Sequence, residues 1–215
     1  MNMFNWDLRY AEAEKAEGMV LWNGVPAPLT AAPGNYFAKI KIGNDSAEVP
    51  FVVQADPNYK ITQQDYDAQF EFLQQVQNKY NDVQKGVKDI RLLRSQINDF
   101  TARQGKDIPK DVKQSADSIL KQLTTIEEKL HQTKAKSSQD VLNYPIRLND
   151  KLSGLYSVVA SGVTAPSKQS RDVYTDLAGQ ADAELAKLTH IVNTDVQQLN
   201  KLIRDKSLPV IGLKK

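Results

Sequence analysis

Apolar residues follow two different rhythms along this chain, and the change comes near Lys60. Upstream the period is close to two. Phe4-Asn5-Trp6-Asp7-Leu8 alternates apolar with polar, as a strand with one buried face does. Tyr36-Phe37-Ala38-Lys39-Ile40-Lys41-Ile42 repeats the pattern after the turn Ala32-Pro33-Gly34-Asn35. Gly43-Asn44-Asp45-Ser46 then reads as a hairpin connection into a strand from Ala47 to Gln54. Pro50 inside that strand favours an edge position or a bulge. A shorter strand is expected at Met19-Val20-Leu21-Trp22. Three or four strands fall well short of the roughly seven in an immunoglobulin sandwich. The expectation is therefore a partial β domain, with strands missing upstream.

Beyond the turn-forming run Ala55-Asp56-Pro57-Asn58 the spacing becomes helical. Thr62-Gln63-Gln64-Asp65 reads as a capping box. It leads the stripe Tyr66, Phe70, Leu73, Val76, Tyr80, Val83, Val87, Ile90, Ile97 and Phe100, which predicts one helix of about 40 residues ending at Gly105. Pro109 opens a second helix through Val112, Ile119, Leu123 and Leu130, and Lys134 to Gln139 is a polar break. Pro145 opens a third, through Leu148 and Leu155, that stops at Gly162. Pro166 opens a fourth, through Leu177, Leu188 and Leu199, again near 40 residues. Moderate connections favour an up-down-up-down arrangement. The apolar tail Leu208-Pro209-Val210-Ile211-Gly212 is expected to dock back towards the β segment.

Composition sharpens the division. Residues 1–60 hold eight of the 16 aromatic residues and five of nine prolines. The fold class expected is α+β, mainly α. A partial immunoglobulin-like β segment (1–58) precedes an antiparallel four-helix bundle with long helices (59–215).

Charge and chemistry narrow the function more by exclusion than by assignment. Over 215 residues, 28 basic groups face 26 acidic ones, for a net +2, so no global basic field draws nucleic acid. The lysine groups 106/110/113 and 129/134/136 lack interleaved aromatics. The absence of cysteine removes disulfides, thiolate metal sites and a cysteine nucleophile. Apolar runs are too short for a membrane span, and the first residues, MNMFNWDLRY, show no signal-peptide pattern. His131 and His190 have no carboxylate at i+3 or i+4, and HExxH does not occur. G-x-S-x-G, P-loop and G-x-G-x-x-G motifs are also missing.

Glu127-Glu128 and the pair Asp182/Glu184 are the carboxylates to weigh for glycoside hydrolysis, and each is expected on a solvated helix face. Trp6 and Trp22 are the candidate binding residues, as a sugar-stacking platform, against a plain core role. Asn44-Asp45-Ser46 fits a glycosylation sequon but reads as turn chemistry. No catalytic residue, metal ligand or cofactor is assigned.

Several strings share an order with a known family. They are Phe4-Asn5-Trp6-Asp7-Leu8-Arg9-Tyr10, then Pro33-Gly34-Asn35-Tyr36, then Asp56-Pro57. Tyr144-Pro145-Ile146-Arg147-Leu148-Asn149-Asp150-Lys151-Leu152 and Ala165-Pro166-Ser167-Lys168-Gln169-Ser170 continue it. Together these resemble the C-terminal region of large bacterial proteins with sortilin-like or BNR-type β-propeller repeats, often labelled glycosyl hydrolases. The resemblance implies an upstream propeller and an immunoglobulin-like module whose last strands match residues 3–54. A helical tail follows, in a protein exported from the bacterial cell to the periplasm or beyond, with its signal peptide upstream. It implies no catalysis here, because no propeller signature such as S-x-D-x-G-x-T-W occurs.

The expected role is a non-catalytic structural or interaction module of such a parent. Its partners are the propeller of the same chain and, through an exposed sheet edge, a second copy. The alternative is an accessory carbohydrate-binding or glycosyl-hydrolase-associated domain using Trp6 and Trp22.

Overall fold

The computed structural model describes residues 3–210, and shows a mainly helical chain with one small antiparallel sheet. Helix α1 (Gln63–Gln104) runs 42 residues, about 63 Å at 1.5 Å per residue. Its capping box forms as the sequence predicts: Thr62 accepts from the Asp65 amide, and the Asp65 carboxylate accepts from the Thr62 amide. Gly105, at φ +60°, ends it and returns its amide to the Thr101 carbonyl.

Helix α2 (Lys110–Leu130) follows Pro109, and a 17-residue connection, 131–147, leads to α3 (Leu148–Ala160). Ser167 caps α4 (Lys168–His190), which continues through a π turn (Ile191–Asp195) into α5 (Val196–Asp205).

The contacts fix the directions of these helices. Along α1 and α4 the partners climb together: Gln75 with Tyr174, Lys79 with Asp182, Gly86 with Leu185. Gln104 then meets Pro209. Against α2 they descend, with Gly86 by Leu130, Arg91 by Glu127 and Arg94 by Thr124. Gln69 holds the carbonyls of Val159 and Gly162 at the end of α3. Helices α1 and α4 are therefore parallel, while α2 and α3 both run against them, one after the other. The expected up-down-up-down alternation does not form, because the 131–147 connection carries the chain onward instead of reversing it.

One hydrophobic cluster fills the space between these helices, including Val76, Tyr80, Val83, Val87, Ile90, Leu123, Leu130, Leu152 and Ala181. It also takes in Ala13, Ala16 and Leu29, so residues on both sides of the 58/59 boundary share a core. The tail is a correction too. Leu208 packs on the core at the α1–α2 end, where Lys206 pairs with Asp111, and not near the β segment. Ile211 and Gly212 lie outside the described residues.

The sheet is a hairpin of β1 (Gly34–Ile42) and β2 (Asp45–Val53). Gly43 at φ +59°, followed by Asn44 with negative φ, closes it with a two-residue turn of the II′ kind. The expected strands at Phe4–Leu8 and Met19–Trp22 are absent; this region contributes only the isolated bridge Arg9↔Thr30. Two causes act, one local and one distant. Leu8 sits at φ +62°, which interrupts an extended run. The backbone polar groups nearby also go to helix side chains instead of a ladder.

Candidate interaction surface

Residues 11–24 form a strap laid along the helices. Gln77 donates to the Ala11 carbonyl, Asn81 accepts from the Glu14 amide at 2.8 Å, and Arg91 donates to the Glu17 carbonyl. Lys88 pairs with Glu14. Gly18, at φ +64°, then turns the strap back across α3. There the buried Asp150 carboxylate accepts from the Trp22 and Asn23 amides at 2.8 and 3.0 Å, and from Asn23 Nδ2 at 3.0 Å. Ser153 donates to the Gly24 carbonyl. Gly154 permits this approach, since a Cβ there lies 2.9 Å from Asn23 Nδ2.

Beneath the strap lies a buried polar seam. Asn149 Nδ2 donates to His131 Nδ1 at 3.3 Å, which requires the neutral imidazole with its proton on Nε2. Burial pushes His131 below its ordinary value, and the Arg91 charge pushes the same way. Glu127 is also buried, between Arg91 at 2.9 Å and Arg94 at 2.7 Å. Burial alone raises its carboxyl, but the hydrogen bonds and positive charges of Arg91 and Arg94 together outweigh that and leave it below its ordinary value. Tyr80 is raised by burial. Gln84 is fully buried, with neither side-chain polar atom hydrogen-bonded to protein.

The sequence candidates are scattered over this frame. Trp6 is half-buried, edge-on to Tyr36 and Phe51 at 5.8 and 6.0 Å, with Nε1 donating to the Arg9 carbonyl. Trp22 is 55% exposed, and no aromatic contact joins the two indoles among the described residues. Glu127 corrects the expectation of a solvated face, whereas Glu128 and Asp182 are exposed. His190 is exposed beside an open groove of about 440 Å³ between α2 and α4; in its wall Glu184 pairs with Lys187. Among the described residues no cluster of three or more His, Asp or Glu side chains forms a metal site, and no helix is long and apolar enough to cross a membrane.

The surface that stands out is one the sequence search for chemistry passed over. On β1, Tyr36, Ala38, Ile40 and Ile42 share a face with Phe51, Val49 and Ala47 of β2. Trp6 covers only the Tyr36–Phe51 base. Beyond it the face is open: Ile40 is 62%, Ile42 76% and Val49 60% exposed. Tyr36 donates to the Ala32 carbonyl and Gln63 to the Pro33 carbonyl, and these fix the base of the hairpin to the start of α1. A two-stranded sheet with an uncovered apolar face is marginal alone. Its arrangement suits docking. Comparison with protein-family models, curated proteins and solved structures finds no match to this chain.

Proposed function

We propose that this chain is a non-catalytic structural and interaction module of a larger protein, in which the helices hold out a hairpin that β structure from elsewhere completes. The carrying observation is the uncovered apolar face Ala38-Ile40-Ile42/Val49-Ala47 at one end of the helices. Completion as an immunoglobulin-like sandwich, an upstream propeller as neighbour and export of the parent are what the family resemblance adds to this reading. The test compares this chain with a longer parent chain retaining the upstream region. Proteolytic cleavage within 34–53 slows sharply in the longer chain if the face is covered. Equal cleavage rates contradict the proposal.

A second reading, an accessory carbohydrate-binding role, has one observation in its favour, the exposed indole of Trp22. Titration with oligosaccharides while following tryptophan fluorescence tests it. A saturable change lost in Trp22→Ala supports it, and no change removes it.

A further inference from the structure

We infer that the outer edge of β1 receives an incoming β strand of a partner domain in which acidic residues alternate with apolar ones. The inference rests on the reading of the hairpin as a docking surface. The two edges of the hairpin differ. The two-residue turn makes Ile42 and Asp45 a hydrogen-bonded pair, so the even-numbered residues of β1 bond inward to β2. The amides and carbonyls of Asn35, Phe37, Lys39 and Lys41 consequently face outward. On β2 the residue opposite Phe37 is Pro50, at an outward-facing position, where its missing N–H costs no ladder bond and blunts that edge. The β1 edge carries no such block.

Side chains set the chemistry of the visitor. Lys39 already pairs across the hairpin with Glu48 at 2.7 Å. Lys41 faces Ser46 and has no acidic partner among the described residues. A strand bonded to the outward groups sets one of its faces beside Lys39 and Lys41 and the other beside Ala38 and Ile40. Carboxylates suit the first and aliphatic side chains the second. A second copy supplies neither well: its β1 brings lysines, and its β2 edge meets the strand with Pro50.

The test tethers a strand ahead of Met1 of the full chain through a Gly/Ser linker of about 20 residues, reaching roughly 25 Å. One version alternates valine with glutamate and the other valine with lysine, and amide exchange is read residue by residue. The glutamate strand is expected to slow exchange at Asn35, Phe37, Lys39 and Lys41 by about tenfold or more, since tethering supplies a millimolar effective concentration. The lysine strand protects about threefold less. Lys41→Glu reverses that order. Phe37→Pro, which mirrors Pro50 and removes only an outward amide, abolishes protection.

Equal effects of the two strands, or none at the outward amides while the inward ones stay protected, overturn this inference alone. Inward amides that exchange freely throughout show that no hairpin persists, and the proposed function falls with it. Outward protection that grows with the concentration of the untethered chain assigns the edge to a second copy and overturns the acidic strand.

Discussion

The helices and the hairpin use the same apolar residue types and treat them oppositely. Ile90 on α1 is fully buried, whereas Ile40 on β1 is 62% exposed. Both lie on regular stripes, with a spacing of three and four on α1 and of two on β1. In the helices the facing stripe comes from the same chain, and the strap residues Ala13, Ala16 and Leu29 close the remaining seam. In the hairpin only the base is covered among the described residues, by Trp6. A sharp apolar pattern that the described residues leave uncovered is the observation on which the proposed docking role rests, and the difference between the two regions marks where it lies.

Matched truncations test this contrast with the largest effect. Ile90→Ala is expected to destabilise the chain by about 2–5 kcal/mol, the usual range for a large aliphatic residue cut from a packed core. Ile40→Ala stays within about 0.5 kcal/mol, as for an exposed site. Urea unfolding of both variants measures the gap, and similar losses erase the distinction.

The strap offers the next largest effect. Asp150→Ala leaves the Trp22 and Asn23 amides without their acceptor, at a cost of about 2–4 kcal/mol. Accelerated amide exchange should be confined first to the strap and α3. Exchange rising in the hairpin alone would show that the strap belongs with the β segment.

Acid should weaken the helical region and spare the hairpin turn. His131 in the folded chain lies below its ordinary 6.5, so the unfolded chain takes up the proton first. Stability therefore falls as pH drops from 6.5 towards the lower folded value, then levels. Glu127 lies below its ordinary 4.5. Its contribution is whole above that value and is lost as pH falls through the folded one. Thermal melts from neutral pH down to about pH 2 follow both, and His131→Gln should remove the upper part of the decline. A decline unchanged in that variant assigns the acid loss to other groups.

The smallest expected effect is Gly43→Ala. A side chain at φ +59° costs roughly 1 kcal/mol, borne by the hairpin. Nuclear magnetic resonance should show weaker β1–β2 pairing with an unchanged midpoint for global unfolding. A lowered midpoint means that the two regions unfold together.

Legibility in the sequence follows how local each determinant is. The ends of α1 could be read because Thr62, Asp65 and Gly105 act within one turn. The β1–β2 hairpin was nearly as local, read from Gly43-Asn44-Asp45-Ser46 between alternating runs, although only Gly43-Asn44 forms the turn and Asp45 and Ser46 already pair within β2. The parallel pairing of α1 with α4 was not legible, since a 17-residue connection can return or continue with similar composition. Phe4–Leu8 and Met19–Trp22 alternate like strands, yet Leu8 turns to positive φ and the Trp22 amide goes to Asp150 far along the chain, which no local pattern announces. Glu127 looked solvated beside Glu128 because the arginines that enclose it sit on another helix. Of the two indole candidates, one packs on the hairpin base and the other stands exposed on the strap. The open face itself was written plainly in the alternation of β1. What it lacked was the information that, among the described residues, only Trp6 covers part of it.

Native-state amide exchange of the chain by itself, resolved by residue, bears most directly on the central claim. Amides of α1 from Val76 to Ile90 should exchange only through global unfolding. The inward amides Tyr36, Ala38 and Ile40 should exchange far faster through local opening, and slow when a complementary β strand is tethered to the chain. Inward amides as protected as the α1 core in the isolated chain would contradict the account, because such a hairpin needs no partner.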